Sequence, residues 1–255
     1  MKSISLLGCL LIISCFFTNC GGSDKYSGFP MDKKYWTADD YRKVNDEITY
    51  LNYNKEEFPN LDNPNTTSIF KKIVDTLNFS IVTNDGELGI KHRSEFATSM
   101  FDEYRNLLEK YSQLDRQDKY KYPEEVVALF QFGLALQVPY ILLGNEKIIK
   151  DADNPQADDV VSITKRNGQV LISNYNLFLD YINYEDRFTE KALSKYAESM
   201  RDYFPRLITQ IIPSGDYSAM FERVGNMLKK AKNTLIIQEL EKIKSLLISK
   251  DGPKS

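Results

Sequence analysis

Few residues in this chain could do covalent or metal chemistry. Its three cysteines are Cys9, Cys15 and Cys20, and His92 is its one histidine. A Ser-His-Asp or Cys-His nucleophile site would have to use His92, and no G-x-S-x-G elbow accompanies it. Zinc sites draw on several His or Cys ligands, which the chain does not supply, so His92 reads as a surface residue at a helix start. Asp151, Asp153, Asn154, Asp158 and Asp159 crowd one segment in the manner of a calcium loop. However, Pro155 and Gln156 stand where a ligand and the turn glycine belong, and no glutamate closes the loop. Carboxylates suited to glycoside hydrolysis abound, but none stands out as a pair. There is no G-x-G-x-x-G or Walker sequence, and Gly86-Glu87-Leu88-Gly89 reads as a turn. These patterns call for no cofactor and no metal. One region is crowded with rings: Tyr175, Phe178, Tyr181, Tyr184, Tyr196, Tyr203 and Phe204. Rings supply area and Tyr hydroxyls orient polar groups, so Tyr175, Phe178, Tyr181, Tyr196 and Tyr203 are candidates to line a ligand pocket. Core filling is the competing use of the same rings.

Cys20 has the clearest assignment. Lys2 supplies a basic start, Ile4 to Phe17 form a short apolar run, and Thr18-Asn19-Cys20-Gly21-Gly22 follow as a small-residue junction. The apolar run is about 14 residues, short of the roughly 20 that cross a bilayer as a helix. A cleaved secretory signal or an uncleaved anchor are the other readings of such a leader. The cysteine at the junction resembles a bacterial lipobox, with Phe17 three residues before it and Asn19 just before it. The resemblance covers only the leader. It implies that the Cys20 thiol is diacylated and that residues 1–19 are then removed. Gly21 after the cysteine resembles lipoproteins passed on to the outer membrane. Each buried acyl methylene contributes about 0.8 kcal/mol, so two or three chains would make attachment effectively permanent.

Residues 20–35 are rich in Gly, Ser, Asp and Lys and read as a tether, with a root-mean-square span of about 20–25 Å. After such processing no cysteine remains in the folded part, so stability must come from burial rather than disulfides. About 235 residues suffice for that. The formal net charge is −3, with 33 basic and 36 acidic residues interspersed. No polybasic stripe appears, which argues against a nucleic-acid partner.

Residues 36–250 read as one all-α domain, a multi-helix bundle of about seven helices. Thr37 predicts an N-cap, with Asp40 three residues on and Trp36 placed to staple onto Tyr41. A second helix is expected from Thr66 or Thr67 to about Val82, ended by Asn84-Asp85-Gly86. A third begins near His92–Ser94. Pro123, Glu124 and Glu125 mark the start of the most apolar segment, 124–143, which fits a buried central helix or a membrane span. Gln131, Gly133, Gln137 and Pro139 favour the buried helix. Residues 144–159 read as a polar loop. Around 160–173 the sequence is ambiguous: Asn167-Gly168 suggests a short β-hairpin, while Leu171, Tyr175, Phe178 and Ile182 favour a helix over 168–183. Helices are expected at 189–204, in a short restart from Pro205, and in a long stretch from Asp216 with a phase slip at Asn233-Thr234.

Together these features predict a lipid-anchored envelope protein, sited at the outer membrane, with a non-enzymatic binding or scaffolding role. Its expected partners are the membrane, through Cys20, and another envelope protein. The alternatives are a helical binder of a small or lipophilic ligand and an envelope hydrolase that uses carboxylates.

Overall fold

The computed structural model describes residues 25–83, 89–150 and 157–251. Cys20 and the leader, the 84–86 turn and Asp151, Asp153 and Asn154 lie outside the described residues. Within them the fold is all-α. Seven helices of 11 to 28 residues carry it: α1 (Ala38–Tyr53), α4 (Ile90–Tyr111), α5 (Pro123–Lys150), α6 (Ala157–Asp180), α7 (Glu190–Arg206), α8 (Ser218–Leu228) and α9 (Thr234–Asp251). Two short helices, α2 (Thr67–Ile73) and α3 (Ser80–Thr83), lie between α1 and α4.

Local chemistry explains several boundaries. Thr37 and Asp40 form the expected capping box, and Trp36 meets Tyr41 edge-on with ring centroids 5.6 Å apart. The cap satisfies backbone donors, and the staple sends the apolar side of α1 (Val44, Ile48, Leu51) into the core. The second helix is shorter than its apolar pattern predicts. It stops at Ile73, and the Asp75 side chain accepts from the Leu77 amide to start a 3-10 turn. Buried Asn78 then accepts from the Trp36 amide and donates to the Tyr41 hydroxyl and the Lys72 carbonyl. Asp and Asn side chains here outcompete the helix for backbone partners.

Helix α5 is the axis of the bundle, with α4, α6 and α7 packed around it, α1 beyond α4, and α8 and α9 closing over α6 and α7. Its stretch Pro123–Lys147 is long and apolar enough to cross a membrane by length and composition, yet two-thirds of its most apolar window is buried inside the fold. An all-round apolar helix is what the centre of a bundle requires.

The region of mixed signals resolves as helix. Residues 160–173 lie wholly within α6, so no hairpin forms there, and α5 runs on through Gly144 to Lys150, into the segment expected to be loop. A Cβ placed on Gly144 would stand 2.8 Å from Thr164 Oγ1, so the two helices meet where a side chain would not fit. That packing, together with burial of Leu171, Tyr175 and Phe178, outweighs the turn preference of Asn167-Gly168. Pro205 does not restart a helix. It sits inside α7, which passes into a π-type turn at Leu207–Ile211, and the Tyr217 hydroxyl lies within hydrogen-bond reach of the Leu207 carbonyl and of the Ile212 carbonyl just past that turn. The phase slip at Asn233 is a real break, since the Asn233 side chain accepts from the Leu235 and Ile236 amides and caps α9.

Candidate functional site

Three of the aromatic candidates, Tyr175, Phe178 and Tyr196, are buried in the core, and Tyr181 and Tyr203 are partly buried against it. Phe178 stacks on Tyr196 with ring centroids 4.4 Å apart, and Tyr175 meets Phe204 edge-on at 5.0 Å. Tyr181 leans on Phe130 at 4.0 Å, while Tyr203 is half-buried at the margin of the cluster. Burial pushes the Tyr196 and Tyr175 phenols well above their ordinary range and Tyr181 up to about 12, so all three are neutral packing groups near pH 7. The Tyr196 hydroxyl donates to the Phe178 carbonyl, whereas the Tyr175 hydroxyl has no hydrogen-bond partner among the described residues. Tyr175, Phe178 and Tyr196 are enclosed, Tyr181 borders a separate hollow beside Asp102, Arg105 and Glu109, and none of the five lines the apolar groove described next.

Apart from His92, the chemically capable residues Glu124, Glu125 and Glu185 are committed to structure. His92 is exposed on the first turn of α4. Glu124 and Glu125 are buried side by side in sequence but point to different neighbours. Glu124 accepts from the Thr189 hydroxyl at 2.6 Å, and Glu125 accepts from the Leu61 amide. They tie the start of α5 to the start of α7 and to the loop before α2. Burial raises the Glu125 carboxyl above its usual range. Glu185 accepts from the Lys232 and Asn233 amides just ahead of α9. Among the described residues, no three His, Cys, Asp or Glu side chains gather as a metal would need.

Among the described residues an apolar groove opens between α4 and α6, floored by α5, with a cavity of about 220 Å³. Thr98 and Phe101 come from α4, Leu136, Tyr140 and Ile141 from the floor, and Val170 and Leu171 from α6. Its polar groups are neutral. The Asn174 side-chain amide donates to Gln137 Oε1, and Gln137 Nε2 donates back to the Gly133 carbonyl at 2.9 Å. Asn167 and Thr98 stand beside this pair. Such a site takes an apolar group and offers amide oxygens and a hydroxyl at its edge, with no ionised side chain on its walls.

The aromatic candidates read from the sequence lie outside this groove. The groove uses α6 residues 167–174, just before the aromatic cluster, and three helices supply its walls. Ile163, Val170 and Leu177 recur every seven residues on the exposed side of α6, and of these Val170 lines the groove. Compared with protein-family models, with curated proteins and with solved structures, the chain gives no match.

Proposed function

We propose that the chain is a lipid-anchored envelope protein with a non-enzymatic binding role, and that the α4–α5–α6 groove holds an aliphatic chain at the membrane surface. The groove carries this reading: its apolar walls remain open to solvent, while Tyr175, Phe178 and Tyr196 are buried against other side chains. An apolar cavity of about 150 Å³ suffices for benzene. The space here accommodates a slightly larger apolar group, such as a segment of an acyl chain. The Asn174–Gln137 pair and Asn167 would orient a neutral polar group next to it. A tether on Cys20 spanning about 20–25 Å would keep the groove within reach of lipid.

A dansyl-labelled fatty acid titrated into the purified protein tests the reading. Saturable enhancement of its fluorescence is expected, with affinity reduced at least tenfold by Thr98→Trp, which fills the groove from an exposed wall position. Absence of saturable binding, or binding indifferent to Thr98→Trp in a normally folded variant, would overturn it.

A further inference from the structure

We infer that the outer face of α6 is a docking surface for a second copy of this chain, paired antiparallel about a two-fold axis at Ser173. The face consists of Arg166, Val170, Ser173, Leu177 and Asp180. Their spacing of four, three, four and three residues places them on one side of the helix. Val170 and Leu177 are 53% and 57% exposed, far more than aliphatic side chains of a core-facing stripe. Arg166 is exposed and makes no ion pair or hydrogen bond among the described residues.

The order of these residues is self-complementary. A two-fold axis through Ser173 puts Arg166, seven residues before it, level with Asp180 of the other copy, seven residues after it. Val170 then falls within one residue, about 1.5 Å of helix rise, of the other copy's Leu177. Each end of the seam therefore pairs opposite charges, the intermediate layers pair aliphatic side chains, and the centre carries the smallest side chain of the five, where the two backbones come closest. Parallel pairing would set Arg166 against Arg166 and Asp180 against Asp180. The charges therefore select the antiparallel arrangement, and an isologous contact of this kind closes on itself. Asp180 also bridges Arg223 of its own chain through Oδ1, which fixes the carboxylate at the end of the seam. The face shares only Val170 with the groove, and the inference does not depend on what the groove or the tether binds.

Helices packed 8–10 Å apart bring two Ser173 Cα atoms on the axis within disulfide reach. Ser162 lies eleven residues from the axis, so two copies of it would be about 33 Å apart. The test is copper–phenanthroline oxidation of full-length Ser173→Cys, Ser162→Cys and parent chains, in whichever cell fraction holds the protein, read on a non-reducing gel. Ser173→Cys should give a covalent dimer, while Ser162→Cys and the parent give little. Adding Arg166→Asp to Ser173→Cys should cut the dimer yield at least fivefold. No dimer from Ser173→Cys would overturn the inference, as would equal yields from both positions or a yield unaffected by Arg166→Asp.

Discussion

Tyr196 lies nearly face to face on Phe178, ring planes 11° from parallel, and its hydroxyl donates to the carbonyl oxygen of that same Phe178. One residue of α7 thus satisfies both the ring and the backbone of α6. A few positions earlier on α6, the Tyr175 hydroxyl is buried without such a partner.

Opposite outcomes are expected from removing these two hydroxyls. Tyr196→Phe should destabilise the fold by about 1 kcal/mol or more, since it leaves a buried carbonyl short of a donor. Tyr175→Phe should be neutral or stabilising, because the hydroxyl it removes pays a desolvation cost with no bond in return. Urea unfolding of both variants checks the sign. Equal losses would show that the Tyr175 hydroxyl is bonded.

Gly133 in the middle of α5 is there because of a neighbour. A Cβ at this position would stand 2.2 Å from the Tyr104 ring. Gly133→Ala should therefore cost about 1–3 kcal/mol through overpacking, against a helix-propensity gain of about 1 kcal/mol. In a Tyr104→Leu background the same substitution should become neutral or stabilising. The double-mutant cycle, measured by chemical denaturation, reads this coupling directly.

Arg93 is buried, donates to Glu146 at 2.7 Å and contacts the Val82 carbonyl at 3.3 Å. Hydrogen bonds from Arg93 and then Lys150 hold the Glu146 carboxyl down at about 2, against its usual 4.5. A lowered carboxyl stabilises the fold fully above about pH 4.5, and this contribution is lost as pH falls towards 2. Glu146→Gln should cost about 1–3 kcal/mol at pH 7 and progressively less below pH 4.5. Denaturation midpoints at pH 7 and pH 3 test it. An undiminished difference at pH 3 would contradict the assignment.

How far the sequence carried depends on the range of the interactions. The Thr37–Asp40 box and the Trp36–Tyr41 staple are settled within six residues, and both formed as their types and spacing required. The apolar run of α5 identified the central helix for the same reason. The hairpin signal at Asn167-Gly168 was local and was overridden by contact between Thr164 and Gly144, twenty positions away. Ring types at 175–204 showed that the region is aromatic. Whether rings face a void or each other is decided by the angle of α7 to α6, which composition does not encode. The groove was harder still, because Thr98, Gln137 and Asn174 are unremarkable singly and line one cavity only when three helices bring them together.

Membrane attachment through Cys20 is a proposal that cell fractionation with a lipid label tests. The most direct measurement compares cell fractions for the wild-type chain and Cys20→Ser, with an alkyne fatty acid supplied as label. The wild-type protein should carry the label and sediment with membranes. Cys20→Ser should lack the label while keeping its helical content. An unlabelled wild-type chain, or label retained by Cys20→Ser, would rule out attachment through Cys20.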